Sequence, residues 1–345
     1  MRSIKNQIYT LSMRFFGIGF NEMIYYFHYK RRSVMPLLLW ISIAVFLLGW
    51  SIGYSGVASI FGVSTANGII RYRTSAILSA VFVFIGAYFG GHRGLENVSS
   101  MIFIEDPRLE IIIAISAALT GIILAQFGIS VSITQGIIGA ITAAGLMAGN
   151  VNWTILYQII LGWILTPISG IILGFLFYKL FKPFFNKIKS LFIQQTTIKI
   201  LSIIVGVYGS YALGANNFAV VVGPFFSHQS DSILIIIGAL SFSFGAIIYS
   251  RRITNTVGRK ITVLDPLGVI IAMFAQSTTV WIYSLLGIPV SVSQAIVGGV
   301  IGVGLAGSSR LVSWGTMLKM IIGWLFTPIM SGVMVAFIYL LLTKI

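Results

Sequence analysis

Cysteine is absent from the 345-residue chain, which excludes disulfides and thiolate metal sites and leaves no redox trace of a compartment. Histidine is nearly as scarce: His28, His92 and His228 are too scattered to read as a metal site. Charged residues make up only 8% of the chain, against the roughly one quarter of a soluble domain. The seven acidic residues are Glu22, Glu96, Glu105, Asp106, Glu110, Asp231 and Asp265. None falls near the middle of a long apolar run, so the usual intramembrane carboxylate, as ion ligand or proton carrier, is missing. Enzyme signatures are missing too. There is no Gly-x-Ser-x-Gly elbow, no phosphate loop ending in Gly-Lys-Ser/Thr and no pair of carboxylates.

What is present is apolar. Hydrophobic residues reach 57% and the mean hydropathy is +1.00, the composition of an integral membrane protein. The net charge of +15 comes from 22 lysines and arginines at the ends of apolar segments, where they anchor to headgroups and set orientation; nucleic acid is not an expected partner. Residues 1–35 mix basic and aromatic side chains and read as an interfacial arm. Apolar segments then fall at 36–67, 74–91, 109–127, 129–149 and 154–178, within a first transmembrane repeat of 36–180. A basic linker over 181–199 follows, placed on the cytoplasmic side by its lysines. The second repeat, 200–345, holds segments at 200–226, 232–249, 267–286, 288–307 and 316–342.

The second set copies the first. Gly53-Tyr-Ser-Gly-Val-Ala-Ser-Ile-Phe-Gly62 overlays Gly214-Ala-Asn-Asn-Phe-Ala-Val-Val-Val-Gly223 at a displacement of 161. The run Gly128 to Gly139 overlays Gly287 to Gly298 at 159, as Asp106-Pro107 does Asp265-Pro266, and Gly162-Trp163 to Pro167 overlays Gly323-Trp324 to Pro328 at 161. A duplicated unit of five crossings, an odd number, has inverted halves. The expected fold is therefore an all-α, multi-pass protein of the cell membrane. It has two inverted-topology repeats of about five transmembrane segments each, with broken helices or re-entrant hairpins at their interface.

The stretch Ser210 to Ser227 and its copy at 51–64 interrupt apolar runs with glycines, amides and a proline, and read as breaks in membrane helices. A broken helix exposes backbone N–H groups that suit an anion without a buried lysine. Small polar groups gather at these places: Ser55, Gly56 and Ser59 in the first break and Asn216 and Asn217 in the second. Thr134, Gln135, Ser293 and Gln294 belong to the copied Ser/Thr-rich loops. Single residues of this kind also serve close helix packing; the whole set, repeated at one spacing, points to one shared anion site near the bilayer midplane. Asp106 and Asp265, each before a proline, read as helix N-caps.

At Gly214-Ala-Asn-Asn217, Val257-Gly-Arg-Lys-Ile261 and Pro289 to Gly298 the chain resembles the inorganic phosphate transporter family, from about Ser51 onward. The resemblance implies a secondary anion transporter of inverted repeats, often a homodimer, coupled to sodium or protons. The family's signature aspartate is Asn217 in the second repeat and Gly56 in the first, and an acidic position in the following helix is Val83. The first signature looks more like the family's sulfate permease branch. Phosphate near neutral pH carries protons that want an acceptor, whereas sulfate offers only acceptors. Sulfate uptake is therefore expected ahead of phosphate, with thiosulfate, molybdate or selenate as further substrates. No cofactor and no bound metal are expected, and protons are expected ahead of sodium as the coupling ion, with His228 a candidate relay. The alternatives are a phosphate symporter and a passive anion channel.

Overall fold

The computed structural model describes residues 20–345 except 103–105, 127–131, 226–230, 262–263, 308–312 and 344–345. The chain divides into two compact units, Met1–Ser42 and Ile43–Ile345. The first is helical from Phe20 onward; the second holds every feature discussed below.

The helices in chain order are α1 (Phe20–Ile60), α2 (Gly62–Ala66), α3 (Tyr72–Ile85), α4 (Leu95–Ser99), α5 (Pro107–Gln126), α6 (Ile133–Ala148) and α7 (Trp153–Phe185). They continue with α8 (Leu191–Val222), α9 (Asp231–Ile247), α10 (Arg251–Asn255), α11 (Pro266–Leu285), α12 (Val292–Gly307) and α13 (Trp314–Thr343). Among the described residues the one β feature is an isolated bridge between Ile102 and Val151. Among the described residues six helical stretches are long and apolar enough to cross a membrane, and α9 with the bent segment after it makes a seventh; α6 and α12, of 16 residues each, are shorter. At about 1.5 Å per residue these two rise about 24 Å, less than the ~30 Å hydrocarbon core. Caps set several starts. Asp265 Oδ1 accepts from Gly268 N at 2.6 Å and Asp106 Oδ1 from Arg108 N at 2.9 Å, the capping expected of both aspartates.

Three expectations are corrected. Residues 53–59 and 214–220 are not breaks: α1 and α8 run through them and end at Ile60 and Val222. Their glycines serve close helix contact instead. A Cβ on Gly214 would stand 2.2 Å from the Val83 carbonyl oxygen, and one on Gly53 would stand 2.3 Å from that of Phe242. The boundary expected at Pro36 falls inside α1, whereas residues 1–19 of the expected arm lie outside the described residues. The linker expected over 181–199 shrinks to a turn, because α7 continues to Phe185 and α8 starts at Leu191, where Ser190 Oγ accepts from Ile193 N.

The copied windows make matching contacts. Gly53 and Gly214 are copies, and so are the residues they meet, Phe242 and Val83, so α1 packs on α9 as α8 packs on α3. Likewise α6 lies on α13 and α12 on α7, each short helix seated on the last helix of the other half. The copied Gly-Trp-x-x-Thr-Pro motif belongs to these seats. Thr166 Oγ1 donates to the Gly162 carbonyl and Thr327 Oγ1 to that of Gly323, both at 2.5 Å, in the turn before each helix-interior proline.

Candidate functional site

A small pocket with about 270 Å3 of unfilled space opens where α1 and α8 approach the first turns of α6 and α12. Ten of its twelve lining residues form five copied pairs: Ile52 with Leu213, Gly56 with Asn217, Ser132 with Ser291, Ile133 with Val292, and Thr134 with Ser293. The pocket therefore draws on both sets of copied sequence windows. The remaining two, Ser55 and Ser59, come from the first half alone.

The sequence fixes these positions through helix ends. Ser132 caps α6, its Oγ accepting from Gln135 N at 3.3 Å, and Ser291 does the same for Gln294 N at 3.3 Å. One early donor of each helix is thereby satisfied, while the first-turn N–H groups of Ile133, Thr134, Val292 and Ser293 have no acceptor within their own helix. Each helix N-terminus also carries about half a positive charge. None of the lining residues is titratable, so the pocket's electrostatics come from two helix ends, five serines, a threonine and one asparagine. That donor-rich lining suits an oxyanion.

Six of the nine residues expected from sequence line this pocket: Ser55, Gly56, Ser59, Thr134, Asn217 and Ser293. Asn217 is fully buried; its Oδ1 accepts from Thr134 Oγ1 at 2.5 Å and its Nδ2 donates to the Leu213 carbonyl at 3.3 Å, tying α8 to the first turn of α6. Ser291 and Ser293 share a hydroxyl contact of 2.9 Å.

The other three point elsewhere. Asn216, expected as a ligand, clamps the loop before α12. Its Nδ2 donates to the Ile288 carbonyl and its Oδ1 accepts from Val290 N, both at 2.9 Å. Asn97 of α4 holds the same loop through the Gly287 carbonyl, at 2.9 Å. Gln135 and Gln294 are buried one residue beyond the lining, and the Oε1 of each has no hydrogen-bond partner among the described residues. The capping serines Ser132 and Ser291 belong to the copied loops whose polar groups are expected to converge here, whereas the apolar floor of Ile52, Leu213, Ile133 and Val292 is not among the expected site residues. All fall inside the copied windows, where their matched displacement is the available signal. His228, the candidate relay, lies outside the described residues. Among the described residues no group of His, Asp and Glu is arranged to hold a metal ion.

Comparison with known proteins gives three consistent findings. A family model described as the phosphate transporter family matches residues 52–335. A protein of Methanocaldococcus jannaschii, provisionally named a phosphate permease, is 30% identical over 83% of this chain and 91% of its own length. The sulfate permease of Bacillus subtilis is 30% identical over 81% of each chain. Among solved structures, one described as the sodium-dependent phosphate transporter superposes with a TM-score of 0.80 at 22% identity, over 90% of this chain and all of that one, and shares the fold.

Proposed function

Because the chain belongs to the phosphate transporter family and is a multi-pass membrane protein, we propose that it is a permease, not an enzyme, for an inorganic tetrahedral oxyanion, with phosphate as its first substrate. The observation that carries the reading is the pocket of five copied pairs, walled by two helix N-termini and free of titratable side chains. A duplicated protein gains from a site at the meeting of its halves, since rocking one half against the other exposes that site alternately to each side. In this proposal the halves are inverted about an axis in the membrane plane, each with five segments, and the anion sits at the first turns of α6 and α12. Ser55, Ser59, Thr134, Asn217 and Ser293 contribute side chains, and Gly56 leaves room. Asn216 holds the loop before α12 in place.

The ranking of substrates changes from the sequence expectation. The missing signature carboxylate puts sulfate first, yet the matching family model and the archaeal relative are both named for phosphate. The proton of a phosphate needs an acceptor, and the serine hydroxyl oxygens of the lining can accept it in place of a carboxylate. Sulfate is the second reading, favoured by one observation: no acidic side chain lines the pocket. Proton coupling belongs to the proposal for the same reason, and a homodimer is proposed by resemblance.

The test is uptake of labelled phosphate into proteoliposomes under imposed proton or sodium gradients, with sulfate, thiosulfate and molybdate as competitors. Accumulation that collapses with a protonophore and is weakly displaced by sulfate is expected. Stronger accumulation of sulfate selects the second reading, flux that only equilibrates selects a passive channel, and no oxyanion flux overturns the proposal.

A further inference from the structure

A second cavity lies at the opposite end of α8 from the signature, between the α7–α8 turn and the first turns of α11, with about 940 Å3 of unfilled space. All eleven of its lining residues are apolar, among them Phe181, Phe184, Ile204, Val205, Ile271 and Phe274. Water in such a groove has no polar partner, and an apolar void forfeits the contacts of its walls. The rim is basic. Lys187 Nζ lies 5.5 Å above the Phe184 ring, and Lys182 Nζ donates to Tyr178 Oη at 2.9 Å, which in turn donates to Asp265 Oδ2 at 2.6 Å. The sequence from 153 to 222 contains Lys179, Lys182, Lys187, Lys189 and Lys199 and no acidic residue, so Asp265 offsets only part of this charge.

Helix length places the rim at a membrane surface. At about 1.5 Å per residue, α7 and α8 rise about 50 Å, well beyond the ~30 Å hydrocarbon core, so the turn that joins them reaches the headgroup layer. Its side chains fit that layer: Phe184 is 62% and Phe192 77% exposed beside the lysines.

We propose that this groove holds one acyl chain of an anionic phospholipid, whose headgroup phosphate rests against Lys187 and Lys182 at the tip of the α7–α8 hairpin. A second copy of the chain fits the groove less well, because a two-fold contact there sets one lysine-rich rim against another. The oxyanion pocket is formed by other residues, so this site stands or falls independently of the transport reading.

The test is native mass spectrometry of the full-length protein, titrated separately with dioleoylphosphatidylglycerol and dioleoylphosphatidylcholine. Each engaged lysine is expected to favour the anionic lipid by about fivefold. Lys187→Ala, at an exposed position, should lower the ratio by about that factor. Ile204→Trp, at a groove position already 56% exposed, should reduce retention of both lipids. Equal retention of the two lipids by the unaltered protein overturns the proposal, as does an anionic preference that survives Lys187→Ala and Lys182→Ala together. Loss of a dimer on Ile204→Trp with lipid retention unchanged assigns the groove to a second copy and also overturns it.

Discussion

Gly298 of α12 sits so close to Pro167 of α7 that a Cβ would stand 2.3 Å from the proline's carbonyl oxygen; its copy Gly139 stands to Pro328 at the same 2.3 Å. The contacts are backbone to backbone, so neither side can yield by turning a side chain. Gly298→Ala and Gly139→Ala should each destabilise the protein by about 1–3 kcal/mol or more through overpacking. Gly315→Ala is the control, since nothing lies within 4 Å of the added carbon. Thermal unfolding in detergent checks this; equal midpoints for the three variants would show that the repeats do not lock there.

Asn216 is expected to act by positioning. Asn216→Ala leaves the Ile288 carbonyl and the Val290 N–H without their present partner, at about 1–3 kcal/mol for each group that stays buried and unsatisfied. Asn216→Asp keeps the acceptor for Val290 N but sets a carboxylate oxygen against the Ile288 carbonyl. Both variants should therefore unfold at lower temperature and transport more slowly. A loss of anion affinity at unchanged unfolding temperature would make Asn216 a ligand instead.

Asn217→Asp tests the electrostatics of the pocket. Thr134 Oγ1 can donate to a carboxylate as it does to the amide, so the tie between α6 and α8 should survive. A carboxylate beside an anion costs roughly 4 kcal/mol for unit charges 4 Å apart near a protein surface, less if it takes up a proton. Oxyanion affinity should fall by at least about tenfold, and dependence on sodium or on lower pH should appear. Unchanged affinity in binding or uptake assays would place the anion elsewhere.

Gln135 and Gln294 should show a trade of stability for function. Their buried carbonyl oxygens have no partner among the described residues, so Gln135→Met or Gln294→Met removes an unsatisfied acceptor. Each variant is expected to unfold at an equal or higher temperature and to transport more slowly. A lower unfolding temperature together with normal uptake would reduce both residues to packing roles.

Much of this protein is determined by its sequence alone. Scarcity of charge marks it as a membrane protein, and windows copied at displacements of 159 and 161 pair segments of its two halves. Aspartate before proline marked the starts of α5 and α11, because an N-cap is a local interaction that needs no tertiary partner. The copied windows also contain Ser55, Gly56, Ser59, Thr134, Asn217 and Ser293, which line one pocket. Tertiary structure decided what the glycines and amides do. A glycine in an apolar run permits either unwinding or close approach, and the choice rests on a backbone remote in sequence, as Val83 is for Gly214. Asn216 and Asn217 are adjacent and chemically alike; with about 100° of rotation per residue, only the packed positions of α6, α8 and the loop before α12 send one to the pocket and the other to a loop.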